Sequence, residues 1–215
     1  MPRPSPKPPT PARTIAASPR RPVSVAITGG IGAGKSELLR AFAQHGAAVI
    51  SSDEIVHRLL REDEAVQRAI VERLGEGVLD ESGEIVRSRV ADLVFTDREK
   101  LLWLEALLHP RVVATYLGWR EDLRRLDDPP AVCVTEVPLL YEVGGEKEFD
   151  AVVAVTAAPE IRAARLGRSL LEREARLVPQ EEKAARADFA FVNDGSLDAL
   201  DAFAADVVAT LAARS

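Results

Sequence analysis

The sequence predicts an α/β protein in which a mostly parallel sheet of about five strands is covered by helices. Three observations predict it. Short valine-rich runs alternate with stretches of helical periodicity. The first run ends in glycines that lead straight into a helical pattern, and a long helical stretch separates the second run from the third. Strands buried on both faces read as continuous apolar runs, and that burial requires helices on each side of the sheet.

Taken in order, Val23–Thr28 is an apolar run stopped by glycines, a buried strand. Lys35–Gln44 carries Leu38, Leu39 and Phe42 at helical spacing, with Gly46 as its stop. Ala47–Ile50, Ala131–Val137, Ala151–Thr156 and Phe189–Val192 supply four more strands. Helices are expected at Pro159–Arg168 and at Leu197–Ala213, the latter with Ser196 as its N-cap. The stretch from Glu54 to Leu126 is too long for a simple crossover and reads as helical throughout, a lobe beside the sheet. Within it Thr96-Asp97-Arg98-Glu99 has capping-box spacing before the apolar run Leu101–Leu108, and Pro110 is expected at a helix break or a new first turn. The organisation is therefore a core of residues 22–53 and 127–215, an insertion at 54–126, and a tail at 1–21.

The tail and the residue after it hold eight of the fourteen prolines by residue 22, and the tail has few large apolar side chains, too few to offset its ordering entropy. It is expected to be a disordered extension. It contains Arg3, Lys7, Arg13, Arg20 and Arg21 and no acid, so the formal charge of −6 hides an asymmetry: the remainder has 23 bases against 34 acids, or −11. An acidic body argues against nucleic acid as a partner, and an anionic ligand must be held by a few local cations. No apolar run has the length of a bilayer span, so no membrane partner is expected. The single cysteine, Cys133, sits in a valine strand as a buried thiol, which fits a cytoplasmic protein without a disulfide.

Residues 29–36 read Gly29-Gly30-Ile31-Gly32-Ala33-Gly34-Lys35-Ser36, a full match to G-x-x-x-x-G-K-[ST] between a strand and a helix. Glycines let backbone N–H groups close on phosphate oxygens, and the helix N-terminus adds positive potential. Lys35 is expected to reach the β- and γ-phosphates of ATP, and Ser36 to help hold Mg²⁺. Gly30, Ile31, Gly32, Ala33, Gly34 and Glu37 complete the expected nucleotide contacts. The loop alone does not separate kinases from GTPases and motor-type ATPases. Asp53 follows the second strand, where residues face the ligand crevice of an open α/β sheet. Its carboxylate could accept the proton of an attacking hydroxyl, or it could cap a helix over Glu54–Leu60. Position alone leaves both open.

The run Thr28 to Ser36, then Val49-Ile50-Ser51-Ser52-Asp53, resembles the opening of the dephospho-coenzyme A kinases. Leu108-His109-Pro110, Val137-Pro138-Leu139-Leu140-Tyr141-Glu142, Ala187-Asp188-Phe189 and Asn193-Asp194-Gly195-Ser196 follow in register, so the likeness runs from Val23 to about Leu211. The resemblance implies a P-loop NTPase-type core, a helical substrate lobe and a short lid at about 166–182. It implies transfer of the ATP γ-phosphate to the ribose 3′-hydroxyl of dephospho-coenzyme A. It casts Asp53 as the proton acceptor, with Lys35 and Arg165 as catalytic cations and Asn193 near the adenine. It places His109, Leu139 and Glu142 with the substrate. Arg162, Arg165 and Arg168 are spaced three apart and equally suit a solvated helix face. Glu136 and Glu142 could meet Mg²⁺ through water, bind substrate, or pack.

Some positions depart from the family pattern. Ser51 stands where the family has the first of two aspartates, and Glu136 replaces an aspartate with a carboxylate one methylene longer. The lid reads several residues short, leaving Arg173 and Arg176 unaligned. A monomer or weak homo-oligomer is expected. Two other readings share the loop: a P-loop kinase for another nucleotide, nucleoside or small metabolite, and a nucleotide-binding switch without acceptor chemistry. The lack of an Asn-Lys-x-Asp segment after a late strand weighs against a GTPase form of the switch.

Overall fold

The computed structural model describes residues 21–166 and 177–213. Most of the tail, and Arg168, Arg173 and Arg176 of the expected lid, lie outside the described residues. Five strands, β1 (Val23–Gly29), β2 (Ala48–Ser51), β3 (Val132–Glu136), β4 (Ala151–Thr156) and β5 (Phe189–Val192), form one sheet in the order β2-β3-β1-β4-β5. Every pairing is parallel, with β1 central: Val25 lies opposite Val134 of β3 and Ala151 of β4. An all-parallel sheet brings the carboxyl ends of all its strands to one edge, and ligands bind outside that edge.

Alternation along the central strands separates two apolar layers. Val25, Ile27, Val132, Val134, Val153 and Val155 pack against α1 (Lys35–Gln44) and the C-terminal helix, α8 (Leu197–Ala212). Leu38 and Phe42 of α1 and Leu200, Val207 and Leu211 of α8 fill that layer. On the other side Ala26 and Val152 meet Leu140 and Tyr141. The chain leaves β4 through α6 (Pro159–Leu166) and returns through α7 (Gln180–Arg186) before β5. Ser196 caps α8 as the sequence predicts, accepting from Ala199 N at 3.2 Å.

The insertion folds as α2 (Ser52–Glu62), α3 (Glu64–Leu74), α4 (Arg87–Phe95) and α5 (Arg98–Arg124), around a second apolar cluster of Leu60, Val66, Ile70, Val78, Val90, Val94 and Leu108. Three expectations about it need correction. The insertion is not helical throughout: residues 75–86 contain a short 3-10 turn and an antiparallel bridge between Leu79 and Ile85. Gly75 and Gly83 there adopt φ of 87° and 85°, and the Asp80 carboxylate accepts from Ser82 N and Glu84 N, the chemistry of a turn. Thr96 does not cap α5; Asp97 does, accepting from Glu99 N and Lys100 N, while the Thr96 hydroxyl turns back to the carbonyls of Asp92 and Leu93. Pro110 breaks nothing either, because it lies inside the 27-residue α5. Proline withholds an N–H from the helical ladder, and beside it the Arg111 guanidinium donates to Leu107 O at 2.7 Å. The far half of α5 ties lobe to core: Val112 and Tyr116 pack with Ile55, and Arg120 stacks 4.0 Å above the Phe149 ring.

Candidate active site

The glycine run connects β1 to α1 at the carboxyl edge of the sheet. Two glycines there are dictated by space as well as by angle. A Cβ on Gly29 (φ 144°) would stand 2.1 Å from Val155 O, so only glycine lets β1 run this close to β4. A Cβ on Gly34 (φ 103°) would stand 2.2 Å from Asn193 Nδ2. Asn193 is buried beneath the loop, donating from Nδ2 to Ala33 O at 2.8 Å and accepting from Gly195 N at 2.9 Å. Arg165 of α6 donates to Gly32 O at 2.9 Å. Two distant elements thus brace the loop before any phosphate arrives. Lys35 curls over it, with Nζ 3.0 Å from Gly30 O.

Next to the loop stands a buried carboxylate. Glu136 ends β3, opposite Ile27 of β1 and Ser51 of β2, and is 4 % exposed. Ser36 Oγ donates to its Oε1 at 3.4 Å and Ser51 Oγ to its Oε2 at 3.1 Å, while Ser52 Oγ donates to its backbone carbonyl at 2.6 Å. Burial pushes the Glu136 carboxyl above the ordinary carboxylate value. The Lys35 ammonium and the two hydroxyls pull it back in part, and the negative charge of Asp53 adds to the rise. Through these two hydroxyls Glu136 links β2 to the first turn of α1. Its oxygens and the Ser36 hydroxyl are the hard donors a small divalent cation takes.

Asp53 lies in the first turn of α2, whose N-cap position is Ser51, and the Ser51 hydroxyl makes no capping hydrogen bond. The helix starts at Ser52, so Asp53 is not the cap of a helix over Glu54–Leu60. Its carboxylate is exposed on the crevice edge, 3.9 Å from the guanidinium of Arg87.

The other predicted residues separate. Glu37 pairs with Arg40 along the exposed side of α1. His109 is exposed on α5, and Leu139 is half-buried in the turn after β3. Glu142 accepts from Val178 N at 3.1 Å and pairs with Lys183 at 2.9 Å, where the lysine side chain is 2 % exposed. Lys183 also donates to Pro138 O at 2.9 Å, a carbonyl that Thr28 Oγ1 shares at 3.2 Å. This buried pair fastens α7 to the turn after β3. Lys183 carries no signal in the sequence, because nothing local marks one lysine of a charged helix as buried.

A braced phosphate loop facing a carboxylate across the carboxyl ends of β1, β2 and β3 is the arrangement of a P-loop kinase, which moves a phosphoryl group to a small acceptor. Residues 23–199 match the family described as dephospho-CoA kinase. The dephospho-CoA kinase of Protochlamydia amoebophila is 38 % identical over 183 residues, 82 % of this chain and 90 % of that one. That of Streptomyces avermitilis is 36 % identical over 200 residues, 90 % of this chain and 96 % of that one. A solved structure from Thermus thermophilus superposes with a TM-score of 0.70 at 33 % identity, covering 91 % of this chain and 99 % of that chain. The dephospho-CoA kinase of Campylobacter jejuni shares the fold, with a TM-score of 0.61 at 24 % identity, covering 87 % of this chain and 96 % of that chain. The chain belongs to the dephospho-CoA kinase family. Among the described residues no helix is long and apolar enough to cross a membrane.

Proposed function

We propose that this protein transfers the γ-phosphoryl group of ATP to the ribose 3′-hydroxyl of dephospho-coenzyme A, giving coenzyme A and ADP, the last step of coenzyme A biosynthesis. The observation that carries the reading is the convergence of Lys35, Ser36, Glu136 and Asp53 at the ends of β1, β2 and β3. Asp53 accepts a hydrogen bond from the 3′-hydroxyl, aims it in line with the γ-phosphorus, and takes its proton as the new O–P bond forms. The bond to the β,γ-bridging oxygen breaks, and that oxygen leaves with its electron pair as part of ADP. Lys35 and the amides of Gly30 to Ser36 hold the charge spread over the phosphoryl oxygens, and Arg165, beside Gly32, adds a cation from α6. Most of the acceleration comes from positioning and charge.

The oxygen donors at Ser36 and Glu136 fit Mg²⁺ and would hold it. Bound there, Mg²⁺ would neutralise charge between the β- and γ-phosphates. Asn193 keeps the loop in shape from below and His109 and Leu139 contact the acceptor, while Glu142 acts by fixing the turn that carries Leu139. We place the protein in the cytoplasm, acting on a small molecule as a monomer or weak homo-oligomer.

The test is ADP release with dephospho-coenzyme A beside adenosine, AMP and shikimate, in wild type and Asp53→Asn. Dephospho-coenzyme A is expected to stimulate turnover, and the variant to lower kcat about 10²- to 10⁴-fold with little change in KM for ATP. Turnover confined to another acceptor, or none stimulated by any, overturns the reading.

A further inference from the structure

Beside Asp53 the lobe carries charge that the phosphoryl transfer leaves unused. His57, Leu60 and Arg61 of α2, with Glu84, Ile85 and Arg87 from the segment entering α4, line a cavity of about 390 Å³. Asp53, His57 and Arg61 recur at intervals of four, so they share one face of α2 and lead from the crevice edge into this cavity. Arg87 closes the near end: its guanidinium lies 3.9 Å from Asp53, and its side chain is 52 % exposed. Leu60 and Ile85 supply apolar wall. Of the six lining residues three donate N–H groups and Glu84 alone is a carboxylate, while Asp53 and Glu62 pair with Arg87 and Arg61 at the edge of the cavity.

We propose that this cavity binds the diphosphate of the acceptor, with Arg87 and Arg61 as its anchors and His57 as a further donor. The proposal rests on the reading that the acceptor hydroxyl meets Asp53. The 3′-oxygen and the 5′-phosphate hang from one ribose, separated by C3′, C4′ and C5′. An acceptor with its 3′-oxygen on Asp53 has its phosphates about one sugar ring away, and Arg87, 3.9 Å from Asp53, lines the neighbouring cavity together with Arg61. A guanidinium has five N–H donors in a planar fork, enough to keep the Asp53 carboxylate and take a phosphate oxygen together. Arg87 thus couples recognition of the diphosphate to the orientation of Asp53. Arg61 now pairs with Glu62 on the surface. Exposed pairs of that kind are weak, so a phosphate can displace it. Glu84 opposes the anion, which gives the proposal a prediction of opposite sign.

The experiment is steady-state kinetics with dephospho-coenzyme A and ATP varied separately, in wild type, Arg87→Ala, Arg61→Ala and Glu84→Gln. Each arginine variant is expected to raise KM for dephospho-coenzyme A about tenfold to a hundredfold while KM for ATP stays close to wild type. Glu84→Gln is expected to lower KM for dephospho-coenzyme A. All three residues are exposed, so their replacement spares the core. If wild type turns over dephospho-coenzyme A but both arginine variants keep its KM within about twofold, the site is wrong and the acceptor reading stands. An equal rise in both KM values also rejects the site. If wild type does not use dephospho-coenzyme A at all, the acceptor reading fails and the site falls with it.

Discussion

Glu136 sits at the physical centre of the proposed chemistry, and its environment fixes a testable conflict. Its carboxyl is buried, and burial raises it above the ordinary carboxylate value, so folding disfavours the ionised form relative to the unfolded chain. With the folded value raised, the native state binds more protons than the unfolded one, and stability falls as pH rises through the window between the two. Glu136→Gln should therefore melt higher than wild type at pH 7 in nucleotide-free buffer. The gap should narrow as pH drops to the ordinary carboxylate range, where the unfolded chain is also protonated. The same variant should weaken Mg²⁺-dependent nucleotide binding, read by fluorescent nucleotide titration with and without Mg²⁺. A variant less stable at every pH would mean that the hydrogen bonds from Ser36 and Ser51 outweigh the burial penalty. The sequence shows Glu136 only as an acid ending a valine strand, because its partners lie 100 and 85 residues away. The glycines of the loop are legible for the converse reason: their spacing is local.

At the scale of elements, α7 hangs from the core by side chains rather than by a broad apolar face. Gln180 exchanges hydrogen bonds with both backbone atoms of Ala157, and Lys183 spans Glu142 and Pro138 O. Removing one member of a buried ion pair strands the other charge. Lys183→Met should cost about 3–5 kcal/mol in urea unfolding, and Lys183→Met with Glu142→Gln should recover a large part of it. A loss below about 1 kcal/mol would assign the pair the weight of a surface contact. The strands were legible because burial on both faces selects unbroken valine-rich runs, and β4 and β5 have the predicted bounds. Pro110 was not. A proline's missing N–H argues for a break, whereas α5 continues through it with Leu108 packed in one apolar cluster and Val112 in another, contacts that local propensity does not contain. The hairpin-like stretch at 75–86 is faint in the sequence, because Gly75 and the Asp80–Gly83 turn are short signals between long helical patterns.

In the whole molecule, the order β2-β3-β1-β4-β5 puts the loop after β1 beside Glu136 of β3 and then β2, whose helix carries Asp53. The lobe then stands over the edge where an acceptor must approach, since α2 grows directly from β2. Fold class and the two halves of the site were readable from local patterns. Their convergence depends on strand order, which the sequence does not state. The most direct measurement is a crystal structure of the ternary complex with a non-hydrolysable ATP analogue and dephospho-coenzyme A. The account predicts the triphosphate on the amides of Gly30 to Ser36, with the Asp53 carboxylate in hydrogen-bond contact with the ribose 3′-oxygen. A triphosphate bound elsewhere, or an Asp53 carboxylate turned away from that oxygen, would contradict it.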